Sequence, residues 1–226
     1  MANLMQYLTL STPVLAVFIT AVVVMLVDLF KPKSALSTYA AYLGLIAAGT
    51  LAYSLYPIQT TPLWNDLFIA DNAVFLMQFF IVLSVFLCVY YASRRLSYLE
   101  SASGDILSLY LLSTVGMMLL VQSTSLMSLY LSLELTSLPL YALVASQRQN
   151  SKASEASIKF FILGATASVF LLFGMSLLYG LTGQMQLSAI TTSLTQQVNS
   201  SLLMIILAMI FIIAGASFKM ALVPFH

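Results

Sequence analysis

The fold class this sequence predicts is all-α: a polytopic transmembrane helix bundle of about seven spans. Three observations predict it. Of 226 residues, 61% are hydrophobic and only 7% charged, with a mean hydropathy of +1.02; soluble domains carry about a quarter charged residues. The apolar residues fall into runs that approach or reach the ~20 helical positions needed to cross a hydrocarbon core. Lys and Arg gather between alternate runs, the mark of a chain threaded through a membrane. The same composition excludes other classes. A net charge of +1 without a basic run offers nothing to nucleic acid. The single Cys88 can form neither an internal disulfide nor a metal or iron–sulfur site, and is expected to be a small buried hydrophobe. One histidine in the chain excludes paired-His sites, and no Gly-rich phosphate loop is present.

The spans follow in order. The first covers about 12–30 and ends at Asp28 and the turn Lys31-Pro32-Lys33. Its approach lacks a basic n-region and a small-residue cleavage site, so it reads as a retained span. The second covers about 35–56, and a connection with two prolines, the only Trp, Asp66 and Asp71 follows it. The third, about 73–91, ends at Arg94-Arg95. The fourth, about 106–121, is joined to the fifth, about 123–145, by only QSTS, so those two are antiparallel neighbours. The sixth is expected over 155–181, then a polar connection rich in Thr, Gln and Ser, then a seventh span from about 201. Lys31, Lys33, Arg94, Arg95, Arg148 and Lys152 all lie in the links after odd spans, and none lies in the links after even spans or at the N-terminus. By the positive-inside bias the N-terminus faces outward and the odd links face the cytoplasm.

Glu134 is the residue that composition alone does not explain. It stands in SLYLSLELTSLPLY with about ten membrane-embedded residues on either side. A Glu side chain cannot reach headgroups from there, and alone and ionised it costs at least ~2.5 kcal/mol. It must be neutral, partnered or wet. On a helix Tyr130, Ser137 and Tyr141 share its face, a hydroxyl-lined stripe. Pro139 frees a carbonyl near Leu135 and Thr136, which suits a site holding water. The plain reading is a buried Glu that locks two helices; the functional one is a proton path.

Two cations lie inside spans. Lys159, in SIKFFILGA, either snorkels to the nearby cytoplasmic surface or serves as a proton-accepting neighbour of Glu134. At about 1.5 Å per residue the depths differ, roughly 18 Å for Glu134 against roughly 7 Å for Lys159, so no direct ion pair is expected unless the sixth helix starts earlier, and a water-bridged link stays open. Lys219, in IIAGASFKMALVPFH, is preceded by Gly215 and Ser217 and followed by Pro224. That bracketing reads as a discontinuous helix whose loosened backbone and ammonium share a wet pocket, against the alternative of a lysine snorkelling from an unbroken helix. A desolvated lysine facing a carboxylate can exchange protons. His226 is either a relay base or a polar helix end.

LSLELTSLPLYALVA together with ASFKMALVPFH resembles the antiporter-like membrane subunits of respiratory complex I, and FIADNAVFLMQFF carries the likeness into the N-terminal part. The resemblance implies the first half of a fourteen-helix fold with two inverted repeats, each containing a broken helix. Residues 1–104 would be an N-terminal three-helix section and residues 105–226 an incomplete first repeat. By matching position it makes Glu134 the fifth-helix glutamate, Lys159 the sixth-helix lysine, Lys219 the lysine at the break and His226 the histidine that follows. These would belong to a hydrated chain of ionisable groups that moves protons as quinone is reduced elsewhere in an NADH:quinone oxidoreductase. No cofactor is then expected in this chain; NADH, flavin, iron–sulfur clusters and the quinone site would lie in partner subunits. The expected surroundings are other membrane-arm subunits and the lipid bilayer of the bacterial inner membrane, with protons as the transported species. A cation/proton antiporter subunit or a membrane-bound hydrogenase subunit would share the Glu and Lys pair, and a non-transporting scaffold would not use it. Because the family continues past the position matching His226, the chain reads as a fragment with one nearly complete half-channel. This chain alone is expected to form no pH gradient in proteoliposomes; a measurable gradient overturns that expectation.

Overall fold

The computed structural model describes residues 2–31, 35–56, 59–98, 103–146 and 151–224; Lys33, Arg148 and His226 lie outside them. Helix α1 (Ala2–Leu10) leads into α2 (Thr12–Phe30), where Pro13 occupies the first turn and its missing N–H leaves no intrahelical acceptor unpaired. Then follow α3 (Ala35–Ser54), α4 (Asn72–Tyr98), α5 (Ser103–Gln122), α6 (Leu126–Val144), α7 (Ser151–Thr182) and α8 (Leu187–Lys219). Among the described residues, the 7 helices α2 to α8 are long and apolar enough to span a membrane. Their outer faces carry Ile19, Leu43, Phe80, Phe161 and Ile210 exposed, the surface a bundle turns toward lipid.

Two apolar cores hold the bundle. Val17, Val24, Ala41, Leu45, Val89 and Leu111 are among those that pack α2 to α5 together, and α5 touches every other helix of that group. Leu126, Leu171, Met175, Leu178 and Ala208 pack α6 to α8. Packing is continuous across residue 104, because Leu107, Leu111, Val115 and Met118 of α5 belong to the first core. Asp28, read from the sequence as the end marker of the first span, is instead buried against the start of α5. Gly104 makes the room, since a Cβ there would collide with the Asp28 carboxyl.

Several expectations are corrected. The connection after the second span contains a small antiparallel hairpin, β1 (Thr61–Leu63) and β2 (Phe68–Ala70), within an otherwise helical chain. Its turn holds Trp64, Asn65 and Asp66 in left-handed backbone, and Thr124 ties it down through bonds to Asp66 and Leu67 carbonyls. The hairpin thus covers one end of the bundle, opposite the end where Lys31, Arg94 and Lys152 lie. The polar stretch after α7, expected as a connection, is the first part of α8. Leu187, Ile190 and Leu194 recur at helical spacing and pack on the second core, so its amphipathic period outweighs its polarity. Helix α7 starts at Ser151 rather than 155 and α4 continues to Tyr98 rather than 91. Cys88, expected inside, lies on the outer face of α4; a small thiol is as comfortable against lipid as in a core.

Close helix contacts rest on glycines. A Cβ on Gly116 would stand 2.5 Å from the Thr136 nitrogen and 2.8 Å from the Leu135 carbonyl carbon, backbone that cannot swing aside. On Gly174 it would meet the Ala208 carbonyl at 2.7 Å, whereas Gly180 has nothing within 4 Å. Gly116→Ala and Gly174→Ala are therefore expected to cost about 1–3 kcal/mol of stability each. Gly180→Ala should be neutral or slightly stabilising. Thermal unfolding of the three variants in one detergent checks the order.

Candidate functional site

Helix α6 is polar on two faces, and the two do different things. Its start is fixed by a capping box in which the Ser125 hydroxyl accepts from the Ser128 N–H. Ser128, Ser132 and Thr136 recur every fourth residue on the side that meets α5. The Ser113 hydroxyl of α5 donates to the Thr136 carbonyl at 3.0 Å, and Ser132 lies 3.3 Å from Ser123. This face holds helices together. Pro139, buried within α6, was expected to free a carbonyl near Leu135 and Thr136 for a hydrated site. On the α5 side of that region the Ser113 hydroxyl bonds the Thr136 carbonyl, and Gly116 admits the α5 backbone beside Leu135 and Thr136.

Glu134 is turned about 200° from Ser132 and Thr136, toward α7 and α8. Its side chain is 22% exposed, and Lys219 Nζ, itself on a side chain only 11% exposed, sits 2.9 Å from Glu134 Oε1. The same ammonium donates to Ser137 Oγ at 2.9 Å. Ser137 is free to accept because its own proton is committed to the Leu133 carbonyl at 2.6 Å. A second hydroxyl, Ser168 Oγ on α7, donates to Glu134 Oε1. Three helices thus meet at one carboxylate oxygen. Removing two charges from water costs several kcal/mol per ion, and such hydrogen bonds are what offset it.

Lys219 reaches this point because α8 ends there. The helix runs unbroken through Gly215, which was expected to loosen it; a Cβ at 215 would stand 2.6 Å from the Ala167 carbonyl, so this glycine serves close packing against α7. The backbone departs from the helix only after Lys219. Ala221 takes φ 52, its N–H bonds to the Phe218 carbonyl, and the Leu222 N–H reaches back to Ser217 at 2.9 Å. That is a Schellman ending, which satisfies carbonyls that would otherwise be bare in an apolar surrounding. The snorkelling alternative for Lys219 does not hold, because its ammonium points into the bundle.

Lys159 is not at the site. It pairs with Glu155 one turn back at 2.6 Å, with both side chains about two-thirds exposed. The reason is angular as well as axial. Gly164, Ser168, Leu171 and Met175 form the buried stripe of α7, and nine residues on a helix place Lys159 on the side opposite Ser168. Tyr141 and its neighbours close the site on that flank: its ring meets the edges of Phe160 and Phe161 at 5.0 and 5.6 Å, and its hydroxyl fills the space over Gly164. Sequence reasoning missed Ser168 and Gly164. The run of Gly164, Ala167 and Ser168, small residues on one helical stripe, is the signal that could have found them.

Residues 123–226 match the family described as NADH:quinone oxidoreductase/Mrp antiporter, TM. NADH-quinone oxidoreductase subunit N of Nitrosomonas europaea is 36% identical over 221 residues, which is 96% of this chain and 46% of that protein. The chain spans about half the length of the curated relatives it matches. A chain of respiratory complex I from Thermus thermophilus superposes with a TM-score of 0.75 at 26% identity, over 95% of this chain and 45% of that one. A chain of an archaeal membrane-bound sulfane sulfur reductase gives 0.78 at 18% identity over 97% of this chain and 45% of that one, a likeness of fold alone.

Gly164 is the position where the site's packing can be tested without touching a charge. Gly164→Ala places a methyl on the Tyr141 hydroxyl and ring, so the ring must leave its place between Phe160 and Phe161. A loss of about 1–3 kcal/mol in stability is expected, the range for overpacking. Tyr141→Leu in the Gly164→Ala background should recover part of it; equal melting of all variants would show that the ring moves freely.

Proposed function

We propose that this chain, whose residues 123–226 belong to the NADH:quinone oxidoreductase/Mrp antiporter family of membrane domains, is part of a proton-translocating subunit of the membrane arm of an NADH:quinone oxidoreductase. The observation that carries the reading is the largely buried contact of Lys219 with Glu134 at 2.9 Å, made between residues 85 apart in sequence on different helices. Two opposite charges about 4 Å apart attract by on the order of 4 kcal/mol at an effective dielectric near 20. Protonation of Glu134, or loss of a proton from Lys219, cancels that attraction and lets the ammonium and the carboxyl separate. A proton arriving on one group is thereby coupled to movement of the other. The event is a proton transfer alone, and electrons pass elsewhere.

The partners of this reading are the other membrane-arm subunits. NADH, flavin, iron–sulfur clusters and the quinone site belong to partner subunits, with the energy of quinone reduction reaching this pair through the assembled complex. Lys31, Arg94 and Lys152 at one end of the bundle support a multi-pass placement in a bacterial inner membrane with the N-terminus outward. Lys159 joins the path only if a neighbouring subunit or water approaches it from outside the bundle. The Mrp half of the family description keeps a second reading in view, a subunit of a cation/proton antiporter using the same pair.

Lys219→Ala or Glu134→Gln in the full-length subunit is expected to lower proton pumping about 100-fold, the lower range for loss of a proton-transferring group, with assembly of the complex intact. Quinone reduction coupled to pumping falls with it. Normal pumping by either variant sinks the reading. Pumping that requires Na⁺ and proceeds without NADH favours the antiporter instead.

A further inference from the structure

Hydroxyl groups in the spans of this protein mostly bond to their own helix. On α7, Ser157 donates to Ser154, Thr166 to Ile162 and Thr182 to Leu178, each to a backbone carbonyl three or four residues back. Ser168 does not. It is 5% exposed, its i−4 carbonyl is that of Gly164, and its proton goes across the helix seam to Glu134 Oε1. Ser137 shows the complementary choice, giving its proton to Leu133 and keeping a lone pair for the Lys219 ammonium. One hydroxyl therefore serves the anion as donor and the other serves the cation as acceptor. Whichever charge remains when the two part keeps a partner.

We propose that Ser168 is a positioning residue for proton transfer at Glu134, holding the carboxylate oriented and hydrogen-bonded in the α6/α7 seam during the interval when Lys219 has released it. The inference rests on the reading of Glu134 and Lys219 as the proton-transferring pair. Its physical ground is the penalty on a bare carboxylate in an apolar interior, which makes separation of an unaided pair slow. Lys219 alone cannot both leave and keep Glu134 satisfied. Ser168 shares the same oxygen without carrying charge, so it steadies the separated state without competing as an ion. Gly164, one turn away on the same face, keeps α7 close enough for a side chain as short as serine to reach. The identity of the residue is thus set by distance: alanine loses the donor, and threonine keeps it.

The test uses the full-length subunit in its assembled complex. A hydrogen bond to a charged group accounts for about a tenfold change in rate or more, so Ser168→Ala should lower proton pumping about tenfold with assembly unchanged. Ser168→Thr should retain most of the activity. Infrared difference spectra supply a readout that mere packing would not move. The carboxylate stretch removed by Glu134→Gln should change frequency in Ser168→Ala and return in Ser168→Thr. Full pumping by Ser168→Ala, or an unmoved band in that variant, overturns the proposal. Should Ser168→Thr fail to assemble, the band position in Ser168→Ala decides alone. Inactive Glu134→Gln with fully active Ser168→Ala refutes only the role of Ser168, whereas active Glu134→Gln refutes the proton-transfer reading beneath it.

Discussion

A carboxylate and an ammonium enclosed where three apolar helices meet set the terms for the rest of this structure. Neither Glu134 nor Lys219 is tolerable alone at that depth, so each makes the other necessary. The pair joins the middle of α6 to the last residue of α8, and Ser168 brings α7 to the same oxygen. Once these contacts exist, the register of three helices is fixed at one point, since sliding any of them by a residue turns its polar group away. The apolar core of Leu126, Leu171, Met175 and Ala208 supplies contact area but no such register, because leucine meets leucine nearly as well one turn along.

The glycines make that meeting possible. Gly174 and Gly215 place α7 and α8 together with backbone near backbone, Gly116 does the same for α5 and α6, and Gly164 makes room on α7 for the Tyr141 ring and hydroxyl. In an apolar medium helices gain little from burying more leucine, so close approach and interhelical hydrogen bonds carry the association. The seams built this way divide α6 into a side that meets α5, with Ser128, Ser132 and Thr136, and a side that meets α7 and α8, with Glu134, Ser137 and Tyr141. The first side is joined by neutral hydroxyl contacts and the second by an ion pair.

Much of this was legible in the chain. Hydropathy located the first span at 12–30, as observed for α2, and the short QSTS link made α5 and α6 neighbours. Burial arithmetic singled out Glu134 and Lys219 because a charged side chain in an apolar run needs a partner wherever the run folds. Other features were hidden for identifiable reasons. The start of α8 looks polar because its apolar residues are few, and their helical spacing matters more than their number. Lys159 stands on the helix next in sequence to that of Glu134, and its shallower depth already spoke against a direct pair; its position on α7 also points it outward. Ser168 carries no charge, and its one local mark is its place four residues after Gly164 on the same stripe of α7, which signals close packing rather than a bond to a carboxylate. The hairpin rests on three consecutive left-handed residues, Trp64 to Asp66, held by Thr124 from 58 residues away.

The sequence by itself determined that this is a multi-span membrane bundle with two stranded charges, because transfer energies depend on residue type and length of run, and both are written in one dimension. Only the tertiary structure decided which groups share the carboxylate. That outcome depends on helix rotation and on where backbones can approach within van der Waals contact, and those are set jointly by glycines on one helix and side chains on another. Identity fixed the need for a partner; angle and distance chose Lys219, Ser137 and Ser168 over Lys159.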